Sequence, residues 1–234
     1  AEQTSDRVVL IHGLFRTSKS LKPVKKHLAA EGYEAVNLTY PSRRKDFDGL
    51  AKIVGDEIGR LTKERPNQTH HFVTHSLGGM LLRFCLEKNR PDNLGRVVLL
   101  APPSQGSELT DKLKAFKLYD WVNGPVGREL GTDETGVFNR LGPVDYDLGV
   151  IAGNRSVNPI YSWLIPGPDD GKVAVNKAGV PGMNDFMIVP YGHTFMMNRK
   201  KVQNQILHFL IHGLFDHTKA PAEEEEEDEA DIDE

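Results

Sequence analysis

Residues 73–79, Val-Thr-His-Ser-Leu-Gly-Gly, carry an apolar run through a serine into two glycines. A serine on a sharp strand-to-helix corner exposes its Oγ, faces the positive end of the following helix, and needs small neighbours because strand and helix nearly touch there. Gly78 and Gly79 supply that smallness. A serine hydroxyl attacks an acyl carbon only when a base takes its proton, a carboxylate holds the base in the right tautomer, and donors receive the oxyanion. His193, in Pro190-Tyr191-Gly192-His193-Thr194, is the candidate base. Asp170, in Pro168-Asp169-Asp170-Gly171-Lys172-Val173, is the candidate acid. His12-Gly13-Leu14-Phe15 leaves the first apolar run, so the amides of Leu14 and Leu77 are the candidate oxyanion donors.

Other residues compete for these roles. Asp169 stands beside Asp170 and could orient the base in its place. His75, next to the serine, reads as a packing residue on the other side of the turn, and His12 as a hydrogen-bonder that shapes its loop. His70 and His71 open an apolar run and read as surface residues. His208 and His212 lie four apart on one helical stretch with Asp216 and His217 nearby, a spacing that can hold zinc. No glutamate follows His208 as the metalloprotease motif requires, and histidines also suit the negative end of a helix, so no metal is expected. Cys85 falls on an apolar helical stripe and reads as a small buried hydrophobe.

The elements that must position these groups alternate along the chain. Apolar, β-rich runs at Arg7–Ile11, Glu34–Tyr40, His71–Thr74, Arg96–Leu100, Leu148–Ala152 and Phe186–Val189 are expected strands. Several are continuous rather than alternating, as in Val8-Val9-Leu10-Ile11, which is the pattern of parallel strands buried on both faces. Helical stripes appear at Leu50, Ile53, Val54, Ile58 and Leu61, at Leu77, Met80, Leu81, Phe84 and Cys85, and at Val202, Ile206, Phe209 and Leu210 with Gly213 as the C-terminal stop. The order predicts a single α/β domain, doubly wound, over residues 1–222. Ligands of such sheets bind at the C-terminal edge of the strands, where the serine, Asp170, His193 and His12–Phe15 segments all fall.

His-Gly-Leu after the first strand, Thr-His-Ser-Leu-Gly-Gly, Ala101-Pro102-Pro103 followed by Gln105-Gly106-Ser107, Asp170-Gly171 with Val173, and His193-Thr194 together resemble the lipase and esterase branch of the α/β-hydrolase superfamily, from about Val8 to Phe215. The resemblance implies the chain order Ser76, Asp170, His193, with the Asp-Gly-x-Val pattern aligning Asp170 rather than Asp169. It implies a serine hydrolase of carboxylic esters working through an acyl-enzyme. Acyl transfer and thioester or amide hydrolysis by the same residues are the alternatives, and a non-catalytic binding module is the rival from another class. Thr74 departs from the pattern, which usually has Gly there, and implies a slightly wider approach of strand and helix.

The segment from Ser104 to Pro143 is the only place for a cap. About forty residues must also supply the helix that returns to the sheet, so the lid is expected to be small or absent. Phe15, Leu77, Phe116, Trp121, Tyr161, Trp163, Leu164 and Phe195 could line an apolar cleft suited to short or medium acyl chains, lipid esters included. Nothing matches a phosphate loop, a dinucleotide fingerprint or a cofactor lysine, so no cofactor and no nucleic-acid partner is expected.

The chain has 234 residues, 38% of them hydrophobic and 26% charged, enough to bury a substantial core. No apolar run approaches the roughly 20 residues that span a bilayer, so stable membrane insertion is not expected. One cysteine excludes an internal disulfide and says nothing of the compartment. The sequence opens on Ala1, which fits removal of an export signal or of the initiator Met and leaves cytoplasm and export both open. The net charge of −4 is uneven: residues 223–234 hold ten acidic residues and no basic one, leaving the first 222 residues at +6. That run is expected to be a disordered acidic tail.

Overall fold

A computed structural model describes residues 6–113, 123–134, 136–156 and 163–218. The acidic run at 223–234, Phe116, Trp121 and Tyr161 lie outside the described residues. Six strands, β1 (Arg7–Ile11), β2 (Glu34–Leu38), β3 (His70–His75), β4 (Leu94–Leu100), β5 (Leu148–Gly153) and β6 (Asp185–Val189), form one sheet in the order β2-β1-β3-β4-β5-β6. All five pairings are parallel. The helices among the described residues are α1 (Lys22–Ala30), α2 (Phe47–Glu64), α3 (Leu77–Lys88), α4 (Glu108–Leu113), α5 (Pro125–Arg128), α6 (Val175–Ala178) and α7 (Lys200–His212).

Side chains alternate across each strand, so the continuous apolar runs feed two cores at once. Val9 and Ile11 of β1, Phe72 of β3 and Val97 and Leu99 of β4 meet α2 and α3 on one face. Val8, Leu10, Val73, Val98 and Leu100 meet α1 and α7 on the other. This is the doubly wound arrangement expected from the strand pattern. Asp46 caps α2, its carboxylate accepting from the Gly49 N–H at 2.9 Å, and Gly213 ends α7 in the left-handed conformation at φ 77°.

Two expectations fail here. His70 and His71 are buried rather than on the surface, because β3 lies between β1 and β4 in mid-sheet. His71 Nδ1 accepts the Arg96 N–H at 2.8 Å, and burial lowers the pKa of both rings. β2 ends at Leu38, two residues short of Tyr40, which turns inward instead. Its hydroxyl donates to the His12 carbonyl at 2.6 Å and its ring stacks on His12 at 4.3 Å, tying the loop after β1 to the body of the protein.

Candidate active site

Ser76 sits between the last residue of β3 and the first of α3 with φ 53° and ψ −122°, a backbone conformation that L side chains rarely adopt. Its N–H donates to the Leu100 carbonyl at 2.9 Å, so the neighbouring strand holds the strained corner in place. The glycines explain how the corner closes. A Cβ on Gly78 would lie 2.6 Å from the Ile11 carbonyl oxygen and 2.7 Å from that of His12, so α3 starts in direct contact with the end of β1. A Cβ on Gly79 would lie 3.1 Å from Thr74 Oγ1. The bulk that Thr74 adds to the strand is therefore taken up by the side chain that Gly79 lacks.

The Ser76 hydroxyl donates to His193 Nε2 at 3.0 Å, and His193 Nδ1–H donates to Asp170 Oδ2 at 2.8 Å. His193 is 4% exposed and Asp170 3%, which keeps this pair out of water. The other carboxylate oxygen, Oδ1, accepts the N–H groups of Lys172 at 3.0 Å and Val173 at 2.8 Å. Four lone-pair directions are thus largely committed, and the carboxylate is fixed in rotation. The His193 N–H also donates to the Asp170 carbonyl at 2.9 Å, joining the two loops by backbone as well. Gly153, which ends β5, allows that approach: a Cβ there would meet the Tyr191 carbonyl oxygen at 2.2 Å and Asp170 Cβ at 2.9 Å. Asp169 turns the other way, its Oδ1 accepting the Gly171 N–H at 2.6 Å.

Three residues outside the expected constellation brace it. His75 is 2% exposed and does more than pack: its Nε2–H donates to the His193 carbonyl at 2.9 Å, and the two rings lie 4.8 Å apart. Burial, and then the nearby charge of His193, drives the His75 pKa well below its ordinary value, so this imidazole stays neutral. Arg16 donates to the Thr194 carbonyl at 2.6 Å. Ser107 donates to the Lys172 carbonyl at 3.0 Å, fastening the acid loop from the segment after β4. No spacing in the sequence announces these contacts, because each crosses between loops that only the folded sheet edge brings together.

The candidate oxyanion loop is equally constrained. His12 Nδ1–H donates to the Gly13 carbonyl at 2.9 Å, and burial lowers the His12 pKa. A Cβ on Gly13 would lie 2.9 Å from His75 Nδ1 and 3.0 Å from Ser76 Cβ, so the loop passes directly over the serine corner. Among the described residues, the N–H groups of Leu14 and Leu77 donate to no other group, as donors reserved for an oxyanion require.

The candidate cleft residues are less uniform. Leu77 is fully buried in the core beneath α3, so its side chain lines no cleft. Leu164 packs beside Leu109, Ile165 and Ala174. Trp163 is 84% exposed and forms no wall among the described residues. Phe15 and Phe195 are also exposed, each under a guanidinium: Arg43 stands 4.7 Å from the Phe15 ring and Arg16 5.5 Å from that of Phe195. Elsewhere, His208 donates to the Leu214 carbonyl and His217 pairs with Asp185. No cluster of three or more potential metal-ligating side chains occurs among the described residues. Cys85 is buried with its thiol donating to the Ala51 carbonyl at 3.3 Å, and burial pushes its pKa up to about 12.

Residues 1–117, half of the chain, match the family described as "Putative serine esterase (DUF676)". The chain belongs to this serine esterase family. The enzyme is a serine ester hydrolase, and its fold is that of the α/β-hydrolases. The mature lipase BlEst2 of Bacillus licheniformis is similar at 17% identity and a TM-score of 0.75, covering 91% of this chain and 93% of that one. The metagenomic carboxyl esterase MGS0156 is similar at 20% identity and a TM-score of 0.68, over 82% and 66% of the two chains. Phospholipase PlaB of Legionella pneumophila is similar at 18% identity and a TM-score of 0.63; the alignment covers 75% of the enzyme and 46% of PlaB. At these identities the likeness is one of fold. No curated protein matches the sequence.

Proposed function

We propose that the enzyme hydrolyses carboxylic esters of short to medium acyl chain through Ser76, His193 and Asp170. The observation that carries this reading is the unbroken chain of hydrogen bonds from Ser76 Oγ through the His193 ring to Asp170, at 3.0 and 2.8 Å, ending on a carboxylate whose second oxygen is held by two amides. Ser76 Oγ attacks the ester carbonyl carbon while its proton passes to His193 Nε2. Asp170 keeps the Nδ1–H tautomer in place and stabilises the imidazolium, and the amides of Leu14 and Leu77 receive the oxyanion. Collapse of the tetrahedral intermediate breaks the bond to the alkoxy oxygen, which takes the proton from Nε2 and leaves as the alcohol. Water then attacks the acyl-enzyme by the same steps reversed in role, releasing the acid and restoring Ser76. No step requires a metal or a cofactor.

A fluorophosphonate probe tests the assignment, because it reacts only with an activated serine. The native enzyme is expected to be labelled at Ser76. Ser76→Ala should lose labelling together with roughly 10⁴-fold or more of kcat on acyl esters of graded length. Labelling at another residue, or retention of most turnover in the purified variant, would remove Ser76 from the mechanism.

A further inference from the structure

Two open grooves adjoin the mouth of the candidate site and share Arg16. One, of about 480 Å³, runs between the start of α1 and the loop after His193, and is lined by Lys19, Lys22 and Lys26 together with Thr194 and Phe195. The other, of about 550 Å³, lies between the loops after β1 and β2 and is lined by Phe15, Arg43 and Arg44 with Tyr40. Six basic residues thus line the two grooves, and no carboxylate lines either. Lys19, Lys22, Lys26 and Arg44 are exposed, and none of them forms an ion pair among the described residues. Two aromatic rings stand on the same rim, Phe195 at 57% exposure and Phe15 at 39%.

We propose that this rim docks the enzyme on an anionic lipid surface, so that the mouth of the site opens onto the bilayer interface. Rows of Lys and Arg are drawn to the negative potential of acidic lipids, and the attraction falls off within a Debye length. Exposed aromatic rings beside such cations are what an interface rewards, since the ring enters the acyl boundary while the charge stays among the headgroups. A soluble polyanion without aromatic rings would use the same cations but would gain nothing from Phe195 standing in water. The guanidiniums of Arg16 and Arg43 over the Phe195 and Phe15 rings place charge and apolar surface at the same points. The orientation toward lipid rests on the reading of Ser76 and His193 as the catalytic pair; the binding itself does not.

The full chain should cosediment with phosphatidylglycerol vesicles far more than with phosphatidylcholine vesicles at low salt, and Ser76→Ala should bind as the native enzyme does. The triple variant K19E/K22E/K26E is expected to lower binding to phosphatidylglycerol by roughly 100-fold or more, given several-fold per charge at an acidic surface, while turnover of a soluble short-chain ester is unchanged. F195A should weaken vesicle binding most at high salt, where the charges are screened. Equal binding to both vesicle types, absence of binding to phosphatidylglycerol, or undiminished binding by the triple variant would overturn the proposal. So would heparin binding as tightly as the vesicles with no effect of F195A on either, which would assign the cations to a soluble polyanion. Failure of turnover with vesicle binding intact would instead count against the catalytic reading alone.

Discussion

A wide groove on one face of this enzyme contrasts with the catalytic edge of its sheet. A cleft of about 950 Å³ runs between α2 and α3, roughly twice the size of either groove at the catalytic edge, and has Cys85 in its lining. Its charges are mixed and largely spoken for: Asp48 pairs with Arg140, Asp56 with Lys52, and Lys88 stands over the Phe84 ring. Its thiol, that of Cys85, is held protonated by burial and donates to the Ala51 carbonyl. At the catalytic edge, by contrast, a strained serine, a base and an oriented carboxylate converge within hydrogen-bonding distance. Chemistry follows the convergence of activated groups at the sheet edge, and volume between two helices is by itself only imperfect packing of small residues.

The widest test of that contrast is three substitutions, two at the catalytic edge and one in the cleft. Asp170→Asn should preserve the fold and cost roughly 10³ to 10⁴ in kcat, because an amide cannot hold the Nδ1–H tautomer of His193 or stabilise its charge. Asp169→Asn should cost far less, since that carboxylate serves a turn at Gly171. Cys85→Ala should leave kcat unchanged. Steady-state kinetics on one soluble ester read all three. A loss with Cys85→Ala comparable to that with Asp170→Asn would erase the distinction between the two regions.

Much of this arrangement is written in local sequence, and the rest is not. The central strands were legible because they are buried on both faces, so a continuous apolar run such as Val97–Leu100 has no solvated side to confuse the pattern. Ser76 was legible because a strained corner leaves its mark on its neighbours as glycine. The burial of His70 and His71 was not, since strand order is set by crossovers that no local window contains. The roles of His75, Arg16 and Ser107 were hidden for a related reason: their partners lie 118, 178 and 65 residues away in sequence. Thr74 shows the middle case. Its departure from the usual glycine was visible, but its accommodation by Gly79 depends on how closely α3 crosses β3.

Glycine substitution gives a second, smaller contrast between the regions. Gly78→Ala drives a methyl to within 2.6 to 2.7 Å of two backbone carbonyl oxygens, which cannot rotate away. A loss toward the upper end of the roughly 1–3 kcal/mol range for overpacking is expected, with turnover falling as the serine corner shifts. Gly59, on the α2 wall of the large cleft, has ordinary helical backbone, and a Cβ added there would meet nothing within 4 Å. Gly59→Ala should therefore stabilise the enzyme by about 0.5–1 kcal/mol through the lower entropy of the unfolded chain, with activity unchanged. Denaturant melts separate the two, and equal effects would mean that the strain at the serine corner is not local.

The last contrast between the regions is one of pH. Burial lowers the pKa of His12 and His75 at the catalytic edge, whereas no histidine lines the cleft between α2 and α3. A histidine whose folded pKa lies below its unfolded value near 6.5 binds its proton more readily in the unfolded chain. The stability it permits is complete above about pH 6.5 and is lost as pH falls toward the folded value, by at most roughly 1.4 kcal/mol per pH unit for each such group. His75→Gln removes one titrating group while an amide can still donate to the His193 carbonyl. Its unfolding free energy should therefore fall less steeply than that of the native enzyme between pH 6.5 and 5, even if it is lower at pH 8 through poorer packing. Parallel slopes in the two proteins would show that His75 charges in the folded state at little cost, and that the ring bracing His193 is wetter than its burial requires.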